Sequence, residues 1–485
     1  MTQPPARPQS MTSRPDPHRP VRSRLPAADC RSRLAGELRT YWGRRPQRDG
    51  GAMKILVAGW DSGGGVEAVQ TVVGRAVARG HQVRVLGTEG LRSRFESTGA
   101  AFLRYKYAPD NDLRRPETDL VKDWESRNPL TQWQRVRDRQ LCGPAREFCR
   151  DVAEELQRDP ADVAVIDTMI FPAMFGAEAA GVPAVIVMHG PYLVPRADVP
   201  PLGSGLMPAR GPLGRLRDRS AAAVTNAAFR TAMPSLNRTR AEAGLPPVRD
   251  LPDLMGRADR ILVCSSPSFD FAPGSVPANV CYVGPQLEDG PGEDSGGRWA
   301  DEPGQPLVLV GLSSTVMRQE ELLQRAADAL GQAQVRGLVT TGPAVDPAAI
   351  SARDNVTVSR WVRHADVLPR CSAVITHGGH GTVMKALIAG VPLIVVPLGR
   401  DQPDNAARVV YAGAGVRLRK NASADALRAA IGRVIGDPRY RAAARATAAR
   451  LAAERDDNRV IDELERAAAS GSATGHPIPG RADGG

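Results

Sequence analysis

The segment Thr376-His377-Gly378-Gly379-His380-Gly381-Thr382 has the residue types and spacing to hold an anion. It lies between a short apolar run ending at Thr376 and an amphipathic stretch, a pattern that reads strand, turn, helix. Glycines at 378, 379 and 381 let a ligand approach the backbone. The first N–H groups of a helix are unpaired, and its positive dipole end favours negative charge. Thr382 adds a hydroxyl donor, and His377, at the strand's carboxyl end, is placed to donate to the same anion. In an open parallel sheet this is the end where ligands bind. A Gly-rich turn with a satisfied histidine is the plainer alternative, and the surroundings decide between the two. Sixteen residues before His377 stands Trp361, in a Trp-Val-Arg-His segment after another strand. Downstream come Gly390-Val391-Pro392 and then Asp401-Gln402.

Such a site needs a scaffold. From Met53 the pattern runs strand 54–59, helix 66–79, strand 82–86, and it repeats as strand 161–166, helix 173–180, strand 184–188. This βαβ alternation implies a parallel sheet covered by helices. Residues 191–215, rich in Pro, Gly and Arg, read as a long surface loop. Gly, Pro and acids replace all apolar pattern over 287–306, which marks an interdomain linker. A second α/β set follows, with strands at 307–312, 337–341, 373–376 and 392–396 and helices at 320–333 and 382–389. One long Ala- and Arg-rich helix is expected over 439–468, with a disordered tail over 469–485.

A chain of 485 residues with 42% hydrophobic residues is long enough for two or three domains with sizeable cores. Its net charge of +11 would suggest a nucleic-acid partner, but residues 1–52 hold eleven Arg against four acids and account for +7 of it. The rest is nearly balanced, so the basic stretch reads as a disordered Arg/Pro-rich extension or a misassigned translation start, and nucleic-acid binding is not expected. Arg44-Arg45 is followed by Pro46-Gln47-Arg48-Asp49 rather than an apolar run, which argues against an export signal. No run approaches the ~18 apolar residues of a membrane span. The six cysteines show no CxxC spacing and are expected to stay reduced, which suits a cytoplasmic protein.

Taken together, Trp361, the 376–382 turn, Gly390-Val391-Pro392 and Asp401-Gln402 resemble the nucleotide-sugar signature of the family 1, UDP-glycosyltransferase-like enzymes. The closest look-alikes are the actinobacterial enzymes that glycosylate macrolides and other natural products. The resemblance spans 53 to about 435 and includes Pro-Ala-Arg-Gly-Pro-Leu-Gly-Arg-Leu at 208–216. It implies the GT-B fold, an α/β architecture of two facing Rossmann-like domains with a cleft between them. Residues 53–286 would form the acceptor-binding domain and 307–438 the nucleotide-sugar domain. It also implies roles for individual residues. Trp361 would stack on the donor's pyrimidine, with core packing as the alternative, and His364 would meet the base edge. His377, Gly379, Gly381, Thr382 and Ser314 would hold the diphosphate. Asp401 and Gln402 would bond the sugar hydroxyls, an exposed turn being the alternative. The donor would be a UDP- or dTDP-sugar, with no metal and no further cofactor. The acceptor would be an apolar small molecule, facing residues such as Trp124, Trp133, Tyr192, Leu193 and Met207 unless these are core.

Two positions depart from the family pattern. The acid that usually bonds the ribose, eight residues after the motif histidine, is Lys385, which cannot accept those hydrogen bonds and would pair with phosphate or face solvent. The family's catalytic base, directly before Val66, is Gly65. Asp167 matches the acid that orients that base and is left without its histidine. An inverting transfer still needs a base, and Asp61 and Asp167 rank first, with His189 behind them. Asp110-Asn111-Asp112 has the form of a metal-binding triplet but lies far from the donor motif.

Other readings stay open on the sequence. A GT-B protein that has lost its base would bind nucleotide without turnover, as an auxiliary partner. A sugar-nucleotide epimerase would consume donor without acceptor. A Rossmann-type oxidoreductase is suggested by Gly63-x-Gly65-x-x-Ala68 with Glu89 downstream, although Trp60-Asp61-Ser62 spoils that fingerprint.

Overall fold

Valine, isoleucine, leucine and alanine make up nearly all of the central strands, and several, such as VAVID (Val163–Asp167), AVIVM (Ala184–Met188) and LVLVG (Leu307–Gly311), are buried from end to end. Strands apolar on both faces belong in parallel sheets covered by helices on each side. The computed structural model, which describes residues 51–473 apart from 127, 197, 272–273, 275 and 289–304, contains two such sheets.

The first sheet holds β1 (Lys54–Ala58), β2 (Gln82–Gly87), β3 (Ala101–Arg104), β4 (Val163–Asp167), β5 (Ala184–Met188), β6 (Arg260–Val263) and β7 (Val280–Tyr282). Their spatial order is β3-β2-β1-β4-β5-β6-β7, all parallel. The second holds β8 (Leu307–Gly311), β9 (Arg336–Thr340), β10 (Val356–Ser359), β11 (Cys371–Thr376), β12 (Leu393–Val395) and β13 (Gly415–Arg417), in the order β10-β9-β8-β11-β12-β13. Six helices matter below: α1 (Gly65–Ala78), α2 (Gly211–Arg230), α3 (His380–Ile388), α4 (Gln402–Tyr411), α5 (Pro438–Ala453) and α6 (Arg459–Ala473). Both sheets lie in one compact unit.

In each sheet the strand order reverses between two neighbours, β1/β4 in the first and β8/β11 in the second. The crevice at the carboxyl ends of such strands is where a doubly wound sheet binds ligands. The loop after β1 carries Asp61 and leads to Gly65 at the start of α1, and Asp167 ends β4; the loops after β8 and β11 carry Ser314 and the 377–379 turn.

The single closing helix expected over 439–468 is two helices. Asp456 Oδ1 accepts from the N–H groups of Asn458 (3.1 Å) and Arg459 (3.2 Å), so the acid-rich Asp456-Asp457-Asn458 stretch interrupts one helix and caps the next. α6 then returns to the first sheet, where Val460, Ile461, Leu464 and Ala467 join Ile55, Val57, Val165 and Val187 in one core. The expected tail 469–485 is helical as far as Ala473, and its remainder lies outside the described residues. The same holds for residues 1–50 of the expected extension and 289–304 of the expected linker. Residues 211–215, expected as loop, are the first turn of α2, which Pro212 starts at a position needing no N–H donor. Strands β3, β6, β7 and β13 were not anticipated; each has only three or four residues.

Candidate active site

The 376–382 turn is shaped by close approach. Gly378 has φ +96°, and a Cβ there would fall 2.8 Å from Val395 Cγ1. A Cβ on Gly379 would fall 2.7 Å from His377 Nε2, so glycine leaves the imidazole its room. Gly378's carbonyl accepts from Asn405 Nδ2 (2.9 Å), and the same amide donates to Asp401 Oδ2 (2.8 Å), which fastens the turn to α4. His377 is buried. Burial, helped by the Arg400 guanidinium, pushes its pKa down to about 4, so the ring is neutral and offers a single N–H. Thr382 and His364 converge on Gly311 at the end of β8: a Cβ there would lie 3.8 Å from both Thr382 Cγ2 and His364 Nε2. The bare glycine leaves this floor open to a ligand.

Around that floor, Ser314 is exposed between the buried and mutually bonded Ser313 and Thr315 (2.9 Å). Trp361 is 41% exposed at the end of β10, so core packing does not account for it. Gln402 departs from expectation. Its side chain is buried, with Oε1 accepting from the N–H groups of Leu398 (2.7 Å) and Gly399 (3.0 Å), so it braces the loop that holds Asp401 rather than facing the cleft.

Across the cleft, Asp61 also departs from expectation. Its Oδ1 accepts from Gly63 N (3.1 Å) and its Oδ2 from Leu113 N (3.3 Å), so both oxygens serve to fold the loop after β1. Burial raises its pKa. Asp110 and Asp112 pair with Arg104 and Arg114. Asp167 is fully buried, and its Oδ1 takes the Met169 N–H (2.8 Å) and His189 Nε2 (2.8 Å). The expectation that Asp167 lacks a histidine is therefore corrected: its partner comes from the end of β5. His189 lies where residue 65 would project, since a Cβ on Gly65 would fall 2.6 Å from His189 Nδ1 and 2.8 Å from Cε1. Burial alone would lower the His189 pKa, but the charge and hydrogen bond of Asp167, with Asp401 beyond, outweigh it and the net shift is upward.

The two halves meet at this point. A Cβ on Gly190 would lie 4.0 Å from Asp401 Oδ2 and 3.9 Å from His380 Cγ. Arg408 of α4 pairs with Asp270 (2.5 Å), both nearly inaccessible, and Asp270 also accepts from Tyr192 N (2.9 Å) and Tyr282 Oη (2.6 Å). Asp404 takes the N–H groups of Gly203 (2.7 Å) and Gly205 (2.8 Å), pinning the 191–210 loop to the second half. Of the side chains expected to meet an acceptor, Tyr192 is buried in the first core and Trp133 packs at a tilt against Phe229, ring centres 4.5 Å apart, whereas Met207 is exposed.

The sequence relatives decide the family. Residues 328–467 match the erythromycin biosynthesis protein CIII-like C-terminal domain. The 4'-demethylrebeccamycin synthase of Lentzea aerocolonigenes is 32% identical over 401 residues, covering 80% of this chain and 93% of that protein. The chain belongs to the family 1 glycosyltransferases. Another relative, the O-mycaminosyltylonolide 6-deoxyallosyltransferase of Streptomyces fradiae, is 29% identical over 431 residues, covering 83% of this chain and 94% of that protein. The fold of the glycosyltransferase is GT-B. It superposes on the glycosyltransferase VinC, solved in complex with dTDP, with a TM-score of 0.64 at 19% identity over 86% of this chain and all of that one. As a member of this family it takes sugar from a nucleotide-sugar donor and gives it to a small-molecule acceptor. No helix among the described residues is long and apolar enough to cross a membrane.

Proposed function

We propose that this glycosyltransferase moves a hexose, with inversion, from a UDP- or dTDP-sugar to a hydroxyl of an apolar small molecule, with His189 as the base. One observation carries the reading: a His189–Asp167 pair, held at 2.8 Å, lies beside Gly65 and opposite Asp401. In this reaction the acceptor hydroxyl gives its proton to His189 Nδ1 while Nε2–H remains on Asp167, whose charge stabilises the imidazolium that forms. The acceptor oxygen attacks the anomeric carbon from the face opposite the diphosphate. As the bond from the anomeric carbon to the phosphate oxygen breaks, its electron pair leaves with the nucleoside diphosphate, toward the N-terminus of α3 and the side chains of His377, Thr382 and Ser314. Trp361 stacks on the base, His364 meets its edge, and Asp401 takes sugar hydroxyls. Gly379 and Gly381 keep the turn open.

Because a helix N-terminus and side-chain donors meet the leaving group's charge, the reaction as drawn needs no metal. The dTDP bound to VinC and the tylonolide in the name of the Streptomyces relative support the donor and acceptor classes. No nucleic-acid partner is part of the reading. Cys142, Cys149, Cys264, Cys281 and Cys371 are all free thiols, which supports a cytoplasmic setting. The degenerate-partner alternative drew its force from Gly65 and Lys385, and a base at His189 answers the first of these.

The deciding experiment is His189→Ala. Turnover should fall by about 10²–10⁴-fold while UDP or dTDP binds as in the wild type. Unchanged turnover would remove His189 from the mechanism.

A further inference from the structure

Lys385 lies one turn beyond Gly381 on α3, and its ammonium sits 2.6 Å from Glu67 Oε1. Glu67 belongs to the other half of the molecule, in the first turn of α1. The same Oε1 accepts from Glu288 N (3.0 Å), and Lys385 Nζ reaches the Glu288 carbonyl (3.4 Å). The second oxygen, Oε2, lies 3.6 Å from where a Cβ on Gly381 would sit. A carboxylate from one domain thus rests against the first turn of the other domain's anion-binding helix. It does so at a residue whose missing side chain leaves that turn open.

We propose that Glu67 is an internal stand-in for the donor's phosphate, and that Lys385 exchanges it for the diphosphate when the nucleotide sugar binds. The inference rests on the donor site proposed above. A diphosphate carries more charge and more acceptor oxygens than a carboxylate, so it competes well for an ammonium group. Lysine suits the exchange, being a point charge on a flexible stem that can follow a new partner without a fixed geometry. The pair is also placed to let go. Its side chains are 15% and 21% exposed, so the pair keeps some contact with solvent through which it can change partners. On this view Lys385 contributes to donor affinity, and Glu67 sets a threshold that the nucleotide must overcome.

The test is calorimetric titration of the full chain with UDP and dTDP, and with uridine and thymidine, which lack phosphate. Glu67→Gln should bind the diphosphates about two- to fivefold tighter, the worth of a partly exposed pair, and the nucleosides unchanged. Lys385→Met should bind the diphosphates about tenfold more weakly, the worth of a charge-assisted hydrogen bond. Lys385→Arg should retain most of the affinity, and the gain from Glu67→Gln should vanish when combined with Lys385→Met. Weaker or unchanged diphosphate binding by Glu67→Gln overturns the proposal, provided the wild type binds and His377→Ala impairs binding. If the folded wild type binds none of the nucleotides, the donor-site reading itself fails.

Discussion

The imidazole of His189 fills the space that a side chain at residue 65 would need, with Nδ1 2.6 Å from the position of a Cβ on Gly65. The two residues are 124 apart in the chain, yet each explains the other. A histidine at the end of β5 can reach Asp167 and the cleft only because α1 begins with a residue that has no side chain.

That relationship predicts the effect of adding one carbon. Gly65→Ala should push the His189 ring off Asp167 and lower kcat/KM about 10²-fold, the cost of a misplacement near 1 Å. Moving the base should partly reverse a loss: His189→Gly combined with Gly65→His should be more active than His189→Gly alone. Steady-state kinetics on the four proteins checks both statements.

The pH profile follows from the same pair. A base must be neutral to accept a proton, and the His189 pKa lies above its ordinary 6.5. The acid limb of kcat/KM should therefore fall at a pH above 6.5. Asp167→Asn removes the charge that raises this pKa and leaves burial, which lowers it. The limb should then move to lower pH while the plateau drops by about 10²–10⁴-fold. A limb that stays in place would mean that another group titrates.

Trp361 offers its indole to solvent at the edge of the donor floor. Trp361→Ala should weaken UDP or dTDP binding by about 1–3 kcal/mol, the worth of one stacked base, and leave the melting temperature nearly unchanged. A large fall in melting temperature would mark the tryptophan as structural after all.

Among the described residues, Asp270 and Arg408 form the most buried ion pair between the two halves, each side chain 3% exposed. Asp270→Ala leaves a guanidinium without its counter-charge and should cost about 3–5 kcal/mol. Replacing both residues by apolar side chains of similar volume should cost much less. Urea unfolding of the single and double variants measures the difference.

The sequence by itself determined what depends on neighbours in the chain. Alternating apolar runs and amphipathic stretches gave the central strands and most of their helices, because burial on both faces of a strand or one face of a helix is written at fixed periods. The 376–382 turn was legible for the same reason, since strand end, glycines and helix start are consecutive. The short strands β3, β6, β7 and β13, with three or four residues each, are too brief for a period to show.

Tertiary structure alone decided what joins distant residues. Nothing local tells that α6 returns to the first sheet to bury Val460, Ile461 and Leu464, or that Glu67 crosses to Lys385. On the sequence Asp61 ranks above His189 as a base, both being polar residues that follow a strand. Only the packed backbone bonds both oxygens of Asp61 to N–H groups and turns His189 between Asp167 and the gap at Gly65. A sequence specifies which groups are available. Which of them meet is set by strand order and by the volume each neighbour leaves free.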